Sequence, residues 1–255
     1  DLDYKILKSK MFTTVGKLAS GIQLLLKDNG VEIVEGEAEI ISPNKVKVGS
    51  KILETKNVVI ATGSTPVSIS GYDFKEKILS TDTFWSMEEL PKSIAVIGGG
   101  YSGCEFASIL NVLGCKVWLI EAEEALMPDN PQEIGKTLEK YMRIDGITVL
   151  TNSKVEKITD NRILVNGQNI DVEKILVCVG RKPNISSDEM KKLGIEFNSK
   201  GIDVNKKMLT SVSNIYAIGD ITGKYQLAHV ASKQGEIAAH NITGHDSEMD
   251  YSVIP

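Results

Sequence analysis

The chain of 255 residues is 42% hydrophobic and 25% charged, which suits one large or two ordinary folded domains and leaves no need for disorder. Its net charge of −5 argues against a nucleic-acid surface, and no apolar run approaches the roughly 18 residues of a membrane-crossing helix. The three cysteines, Cys104, Cys115 and Cys178, lack C-x-x-C or metal-ligand spacing and read as buried free thiols in a reducing, cytoplasmic setting; His229, His240 and His245 are too scattered for a metal site.

The chain opens DLDYKILKSK, without an initiator Met or a secretory leader, and stops at Ser252-Val253-Ile254-Pro255, so it reads as a piece of a longer protein. Residues 4–27 carry Ile6, Leu7, Met11, Val15, Leu18, Ile22 and Leu25 at helical spacing, and Asp28-Asn29-Gly30 supplies the stop, which predicts a long amphipathic helix. Short β-prone runs at 31–34, 38–41, 45–48 and 51–54, broken by Gly36, Pro43-Asn44 and Gly49-Ser50, predict a meander or small hairpin. The stretch NVVIATGSTP (57–66) reads as a buried strand ending abruptly at Gly63, with Pro66 preventing a helix. A short helix is expected over 81–90, capped by Thr81 or Asp82.

The stretch IAVIGGGYSGCEFASILNVLGCKVWLIE (94–121) carries the clearest chemistry. A buried apolar strand ends in Gly98, Gly100 and Gly103 at G-x-G-x-x-G spacing, a helix follows from about Tyr101, and a second apolar strand ends in Glu121. Gly98 permits the tight turn, Gly100 admits a pyrophosphate close to the backbone, and Gly103 lets helix and strand pack. The free N–H groups and positive dipole end of the helix favour an anion there. Glu121 follows Gly100 by about 20 residues, the offset at which a carboxylate accepts from a ribose 2′-OH. With Glu123 and Glu124 beside it and no Arg nearby, a 2′-phosphate should be repelled, which favours NAD over NADP.

Beyond it, a helix is predicted at 131–143, a strand at 147–150, two or three strands within 153–172 turning at Asn161 and at Asn166-Gly167, a buried strand at 174–179, a last strand at 214–218 and a helix at 227–241. Three further strand ends carry marked turns: Ala61-Thr62-Gly63, Gly180-Arg181 and Gly219-Asp220. Ligands of open α/β sheets bind at such ends, and one nucleotide does not need all of them. Asp220 suits a sugar or polyol hydroxyl, although a plain turn or N-cap role also explains an Asp there.

The motifs VVIATGSTP, IAVIGGGYSGCEFA, LVCVGRKPN, NIYAIGD and QLAHVASKQG, in that order, resemble the flavin-dependent pyridine nucleotide-disulfide oxidoreductases over essentially the whole chain, and most of all the members that oxidise dihydrolipoamide. The resemblance implies a three-layer α/β Rossmann-like FAD/NAD(P)-binding fold, a parallel central sheet with an antiparallel β-meander. It divides the chain into a first part of a FAD-binding domain (1–82), an NAD-binding domain (83–205) and a return segment of the FAD-binding domain (206–255). It implies NAD contacts at Gly98, Gly99, Gly100, Tyr101, Ser102, Gly103, Cys104, Glu105 and Glu121, with Gly180 and Val155 beside them, Glu105 approaching the nicotinamide amide. It implies FAD contacts at Thr62, Gly63, Ser64, Asp220, Gln226, Leu227, Ala228 and His229, and at Ala38 through its main chain. The helix after Gln226 would then direct its dipole at the flavin's pyrimidine edge.

Ser102 stands where the family usually has an apolar residue, and Gln226 where it usually has Met. The family's first G-x-G-x-x-G, its C-x4-C redox disulfide and its His-Glu base pair are absent from these residues, so the chain itself carries no catalytic residue of that reaction. The resemblance implies a whole protein that passes electrons from protein-bound dihydrolipoamide through a disulfide and FAD to NAD. Its partner would be the lipoyl-bearing component of a 2-oxo acid dehydrogenase or glycine cleavage system, and the protein would be a homodimer, with no nucleic acid or membrane involved. The chain alone is expected to bind NAD, to hold FAD weakly or not at all, and not to turn over. Alternatives are another flavin disulfide reductase, such as a mercuric-type reductase, an NADH oxidase of the same family, or a stand-alone NAD(H)-binding module.

Overall fold

The computed structural model describes residues 3–159 and 162–254, so the turn expected at Asn161 lies outside the described residues. The chain begins with α1 (Tyr4–Asp28) and a meander of β1 (Ala38–Ser42), β2 (Lys45–Val48) and β3 (Lys51–Glu54), followed by β4 (Val58–Ile60), β5 (Ser64–Pro66) and β6 (Ile78–Ser80). The central unit is β7 (Ser93–Ile97), α2 (Tyr101–Val112) and β8 (Lys116–Ile120), continued by α3 (Gln132–Ile144) and β9 (Thr148–Leu150). Then come β10 (Val155–Thr159), β11 (Arg162–Val165), β12 (Gln168–Asp171), β13 (Lys174–Val177), β14 (Arg181–Pro183), α4 (Ser187–Leu193), β15 (Ile215–Ala217) and α5 (Ala228–Ile242).

The chain forms two compact units, the first from 1–29 and 66–180, the second from 30–65 and 181–255. The first holds a five-stranded parallel sheet in the order β6-β13-β7-β8-β9. Because side chains alternate across a strand, Ile94 and Val96 of β7 and Val117 and Leu119 of β8 face one core with Ala107 and Leu110 of α2. Ala95, Ile97 and Ile120 face the other, against Ile158, Ile163 and Val165 of the antiparallel β10-β11-β12 sheet. Helices, parallel sheet and meander make the three layers expected, and burial on both faces explains why β7 and β8 read as unbroken apolar runs.

The second unit holds the β1-β2-β3 meander and the parallel pair β4-β15, where Val58 lies opposite Ile215 and Ile60 opposite Ala217. Val58, Ile60, Ile215 and Ala217 pack with Met190 of α4 and with Ile221. Tyr216 turns the opposite way, toward Val230 and Ile237 of α5.

Three expectations change. Residues 81–90 form one 3-10 turn, Phe84–Ser86, in place of a helix. The Ser80 hydroxyl accepts from the Asp82 and Thr83 N–H groups and the Thr83 hydroxyl from the Ser80 N–H, local bonds that replace a helical ladder. Residues 31–34 make no strand, since no described strand pairs with them and Val31 and Ile33 are exposed. The helix α1 forms, capped by Asp3 accepting from Lys5 and Ile6 N–H, but it buries no residue; Tyr4 and Lys8 hydrogen-bond the Met87 carbonyl while Val15, Leu18, Ile22 and Leu25 stay exposed. No helix of the described residues is long and apolar enough to cross a membrane.

Candidate functional site

In the first unit, β13, β7 and β8 are neighbours in register, Val177 opposite Ile97 and Ile97 opposite Ile120, so their C-terminal ends share one edge of the sheet. Gly180, Gly98 and Glu121 follow those ends. Gly98 has φ +104, and a Cβ there would overlap the carbonyl oxygen of Cys178. Gly103, in the first turn of α2, could carry no Cβ either, because it would overlap the Gly98 carbonyl oxygen and lie 3.0 Å from its carbon. Helix and turn are thus in direct backbone contact, as the third glycine of the motif requires.

Gly100 differs. It is the N-cap residue of α2, contributes no side-chain cap, and a Cβ on it would meet nothing within 4 Å. An uncapped helix N-terminus facing open space is what a pyrophosphate needs. Tyr101, Ser102 and Glu105 are exposed on α2, with Tyr101 Oη and the Asn130 side-chain amide in hydrogen-bond contact; Cys104 is buried. Glu121 is 7% exposed, and its carboxylate accepts from the Gly99 N–H at 2.5 Å and the Glu123 N–H at 2.8 Å. Two N–H donors leave lone-pair capacity for a further hydroxyl. Gly180 has φ +106 and open space around it, and Val155, first in β10, packs half-buried on the second core. The donor set fits a dinucleotide.

In the second unit β4 and β15 are adjacent, which brings Thr62, Gly63 and Ser64 to the same end as Asp220. Asp220 lies in a 3-10 turn, Gly219–Thr222, and its Oδ2 accepts from Ser64 Oγ at 2.6 Å. Ser64 Oγ in turn accepts from Arg181 Nε at 2.8 Å. The Thr62 hydroxyl donates to the Asn184 carbonyl. Gln226 donates to the Arg181 carbonyl at 3.5 Å; Leu227 is the N-cap residue of α5 with no side-chain cap, and Ala228 and His229 open the helix, exposed. Ala38 and Thr62 line one open groove of about 1090 Å³ with Gly36, Val58 and Ile60. A carboxylate, a hydroxyl and an uncapped helix N-terminus fit the polyol and ring portions of a flavin.

Two elements escape the sequence motifs. Gln234 is fully buried; its Oε1 accepts from the Gly219 N–H at 2.6 Å and its Nε2 donates to Tyr251 Oη at 2.9 Å, so it holds the turn that carries Asp220. The available signal is a Gln on the apolar face of α5, between Val230 and Ile237. The second is the segment following Glu121, whose Met127 N–H donates to the Gly99 carbonyl. Among the described residues, no three His, Cys, Asp or Glu side chains converge on a metal position.

The thiols are held protonated. Burial pushes Cys104 up to about 11, aided by Glu121 and Glu105, and Cys178 up to about 12, aided by Cys104; burial also raises Cys115, with Glu173 adding to it. Thiolate is the reactive form, so the native chain at pH 8 will react slowly with a chromogenic disulfide reagent, while the denatured chain titrates all three thiols. A fast-reacting thiol in the native chain would contradict these environments. As pH rises above the ordinary thiol range, the unfolded chain sheds protons that the folded chain keeps, so stability falls with alkali.

A family model described as "Pyridine nucleotide-disulphide oxidoreductase" matches residues 2–235. The chain is 38% identical to the dihydrolipoyl dehydrogenase of Chlamydia pneumoniae and 34% identical to that of Bacillus subtilis, in each case over all of its own length and 57% or 58% of theirs. The chain therefore spans little more than half the length of these relatives. Among solved structures it is similar to the HOCl-induced flavoprotein disulfide reductase RclA from Escherichia coli, with a TM-score of 0.89 and 25% identity over 98% of this chain and 59% of that one. Its fold also matches LpdA from Mycobacterium tuberculosis, TM-score 0.90 at 24% identity, over 98% and 59%.

Proposed function

Since the chain belongs to the pyridine nucleotide-disulphide oxidoreductase family, whose members use FAD and NAD(P), we propose that it is the central portion of an NAD-dependent dihydrolipoyl dehydrogenase. The observation that carries the choice of NAD is Glu121, a buried carboxylate beside the glycine turn with Glu123 and Glu124 following it. In this reading the segment 83–205, whose part up to Gly180 lies in the first unit with β6 completing its sheet, supplies the NAD-binding domain, and 1–82 with 206–255 contribute to the FAD-binding domain. The N–H groups after Gly100 bind the pyrophosphate, Glu121 accepts from the adenosine ribose, and Gly180 and Glu105 face the nicotinamide end. Val155 covers the adenosine. Asp220, steadied by Ser64, accepts from the flavin's ribityl or ribose hydroxyls; Thr62, Gly63 and Ala38 give it further contacts, and the α5 start at Gln226, Leu227, Ala228 and His229 stabilises negative charge on its ring. Bound FAD would relay electrons from a dithiol to NAD.

The whole protein would act on a lipoyl-bearing partner as a homodimer in the cytoplasm. Another flavoprotein disulfide reductase is the second reading, favoured by the likeness to RclA.

Calorimetric titration tests the cofactor: NADH is expected to bind and NADPH to bind at least about ten-fold more weakly, a difference of about 1.4 kcal/mol. Equal affinities would remove the NAD assignment. The purified chain is further expected to emerge from gel filtration without flavin and to form no NADH from dihydrolipoamide above a protein-free blank, since none of its thiols, Cys104 and Cys115 buried and Cys178 half-buried, provides a reactive disulfide partner. A yellow, active protein would overturn that.

A further inference from the structure

Gly99, the middle glycine of the turn, is gripped at both ends of its backbone. Its N–H donates to Glu121 Oε2 at 2.5 Å, and its carbonyl accepts from the Met127 N–H at 2.8 Å and from Cys104 Sγ at 3.3 Å. Leu126, 1% exposed, lies over it so closely that a Cβ on Gly99 would be 2.6 Å from Leu126 Cδ2. Residues 121–127 are therefore a strap across the turn.

The strap is itself anchored. The Glu121 and Glu123 carbonyls accept from the Ser153 and Asn152 N–H groups at 2.9 and 2.8 Å. On α3, Gly135 lets the helix touch the Leu126 backbone: a Cβ there would overlap the Leu126 carbonyl oxygen and lie 3.0 Å from its carbon. Met127 is held at φ +54, a conformation that a non-glycine residue adopts only where its surroundings impose it.

We propose that this strap, with Leu126 and Gly135 as its positioning residues, sets how strongly and how selectively the glycine turn takes a dinucleotide. The inference rests on the NAD reading above. One carboxylate, Glu121, holds the Gly99 N–H and also faces the ribose, so a shift of the strap tilts the N–H groups that meet the pyrophosphate and moves the charge that rejects a 2′-phosphate. Affinity and selectivity must change together. A residue that merely stabilised the domain would leave the ratio of NADH to NADPH affinity alone.

The test is Gly135→Ala, with Gly16→Ala on α1 as control because a Cβ there meets nothing within 4 Å. Displacement by a fraction of an ångström to one ångström should weaken NADH binding about ten-fold or more and narrow the NADH to NADPH ratio at least about three-fold, while the control changes neither. Leu126→Ala, which opens space where Gly135→Ala closes it, should act in the same direction and decides the matter if the first variant does not fold. Amide exchange of Gly99 and Met127, measured without nucleotide, should quicken in both variants. Unchanged exchange at Gly99 in a folded variant, or lost NADH affinity with an unchanged ratio, overturns the proposal. A wild-type chain that bound no NADH would remove the NAD reading, and the exchange rates would still decide whether the strap holds the turn.

Discussion

Gly103→Ala will abolish NADH binding and lower the melting temperature of the first unit. The added methyl would overlap the Gly98 carbonyl oxygen and lie 3.0 Å from its carbon, and neither backbone atom can rotate out of the way. The only relief is for α2 to retreat, yet Cys104, Ala107 and Leu110 of that helix are packed in the core with Ile94 and Leu119. Overpacking of this kind costs about 1–3 kcal/mol or more, and here it also removes the donor array from the turn. Gly100→Ala separates the two effects. Its φ of −74 suits any residue and its Cβ would meet no protein atom, so the melting temperature should hold while the methyl occupies space the pyrophosphate needs. Thermal unfolding by circular dichroism and NADH fluorescence titration read the pair; a Gly103→Ala chain with unaltered melting and affinity would refute the contact.

Glu121→Ala is expected to weaken NADH roughly ten-fold to a hundred-fold and to relax the exclusion of NADPH. A charge-assisted hydrogen bond contributes about 1.5–3 kcal/mol, and about 1.4 kcal/mol is a factor of ten. The loss has a second source. The carboxylate is buried and satisfies two backbone donors, on Gly99 and Glu123, and removing it leaves both N–H groups without their acceptor. Glu121→Gln loses the charge and keeps one acceptor oxygen, enough for only one of the two N–H groups, so it should spare the turn in part and the discrimination less. Isothermal titration of both variants against NADH and NADPH checks this, and an unchanged ratio in Glu121→Ala would remove the carboxylate from any role in selectivity.

The elements around the glycine turn were legible because a strand buried on both faces must be a continuous apolar run, and 94–97 and 117–120 are such runs with a glycine or an acid at their ends. The same holds for β13 and β15, whose ends carry Gly180 and Asp220, whereas β4, which leads to Gly63, buries Val58 and Ile60 but leaves Val59 exposed. What escaped has equally physical reasons. Nothing in Leu126-Met127 signals that a backbone N–H will close on Gly99, because the bond uses no side chain and the positive φ of Met127 belongs to no residue preference. Gln234 lies on the apolar face of α5, but its residue type does not signal that its amide will be buried on the Gly219 N–H. The helix expected at 81–90 failed because Ser80 and Thr83 bond their own neighbourhood, and 31–34 failed because β propensity is realised only where a partner strand exists. Helical periodicity fixed the extent of α1, yet periodicity alone does not say what an apolar stripe will pack on.

The strand order β6-β13-β7 bears on how the chain acquires its structure during synthesis. The strand β13, residues 174–177, inserts between β6 and β7, which are complete far earlier in the sequence, and it sets Val177 opposite Ser80 on one side and opposite Ile97 on the other. β7, α2 and β8 are close enough in sequence to associate at once, but the remaining flank of β7 has no neighbour until β13 leaves the ribosome. Nascent chains shorter than that point carry an apolar ribbon with one unsatisfied row of amides and carbonyls, the kind of edge on which chains stick to one another. Loop closure over so many residues is also slow relative to local pairing. Insertion of β13 is therefore the step that covers the open flank of β7 and joins β6 to the sheet, leaving β6 and β9 as its edges.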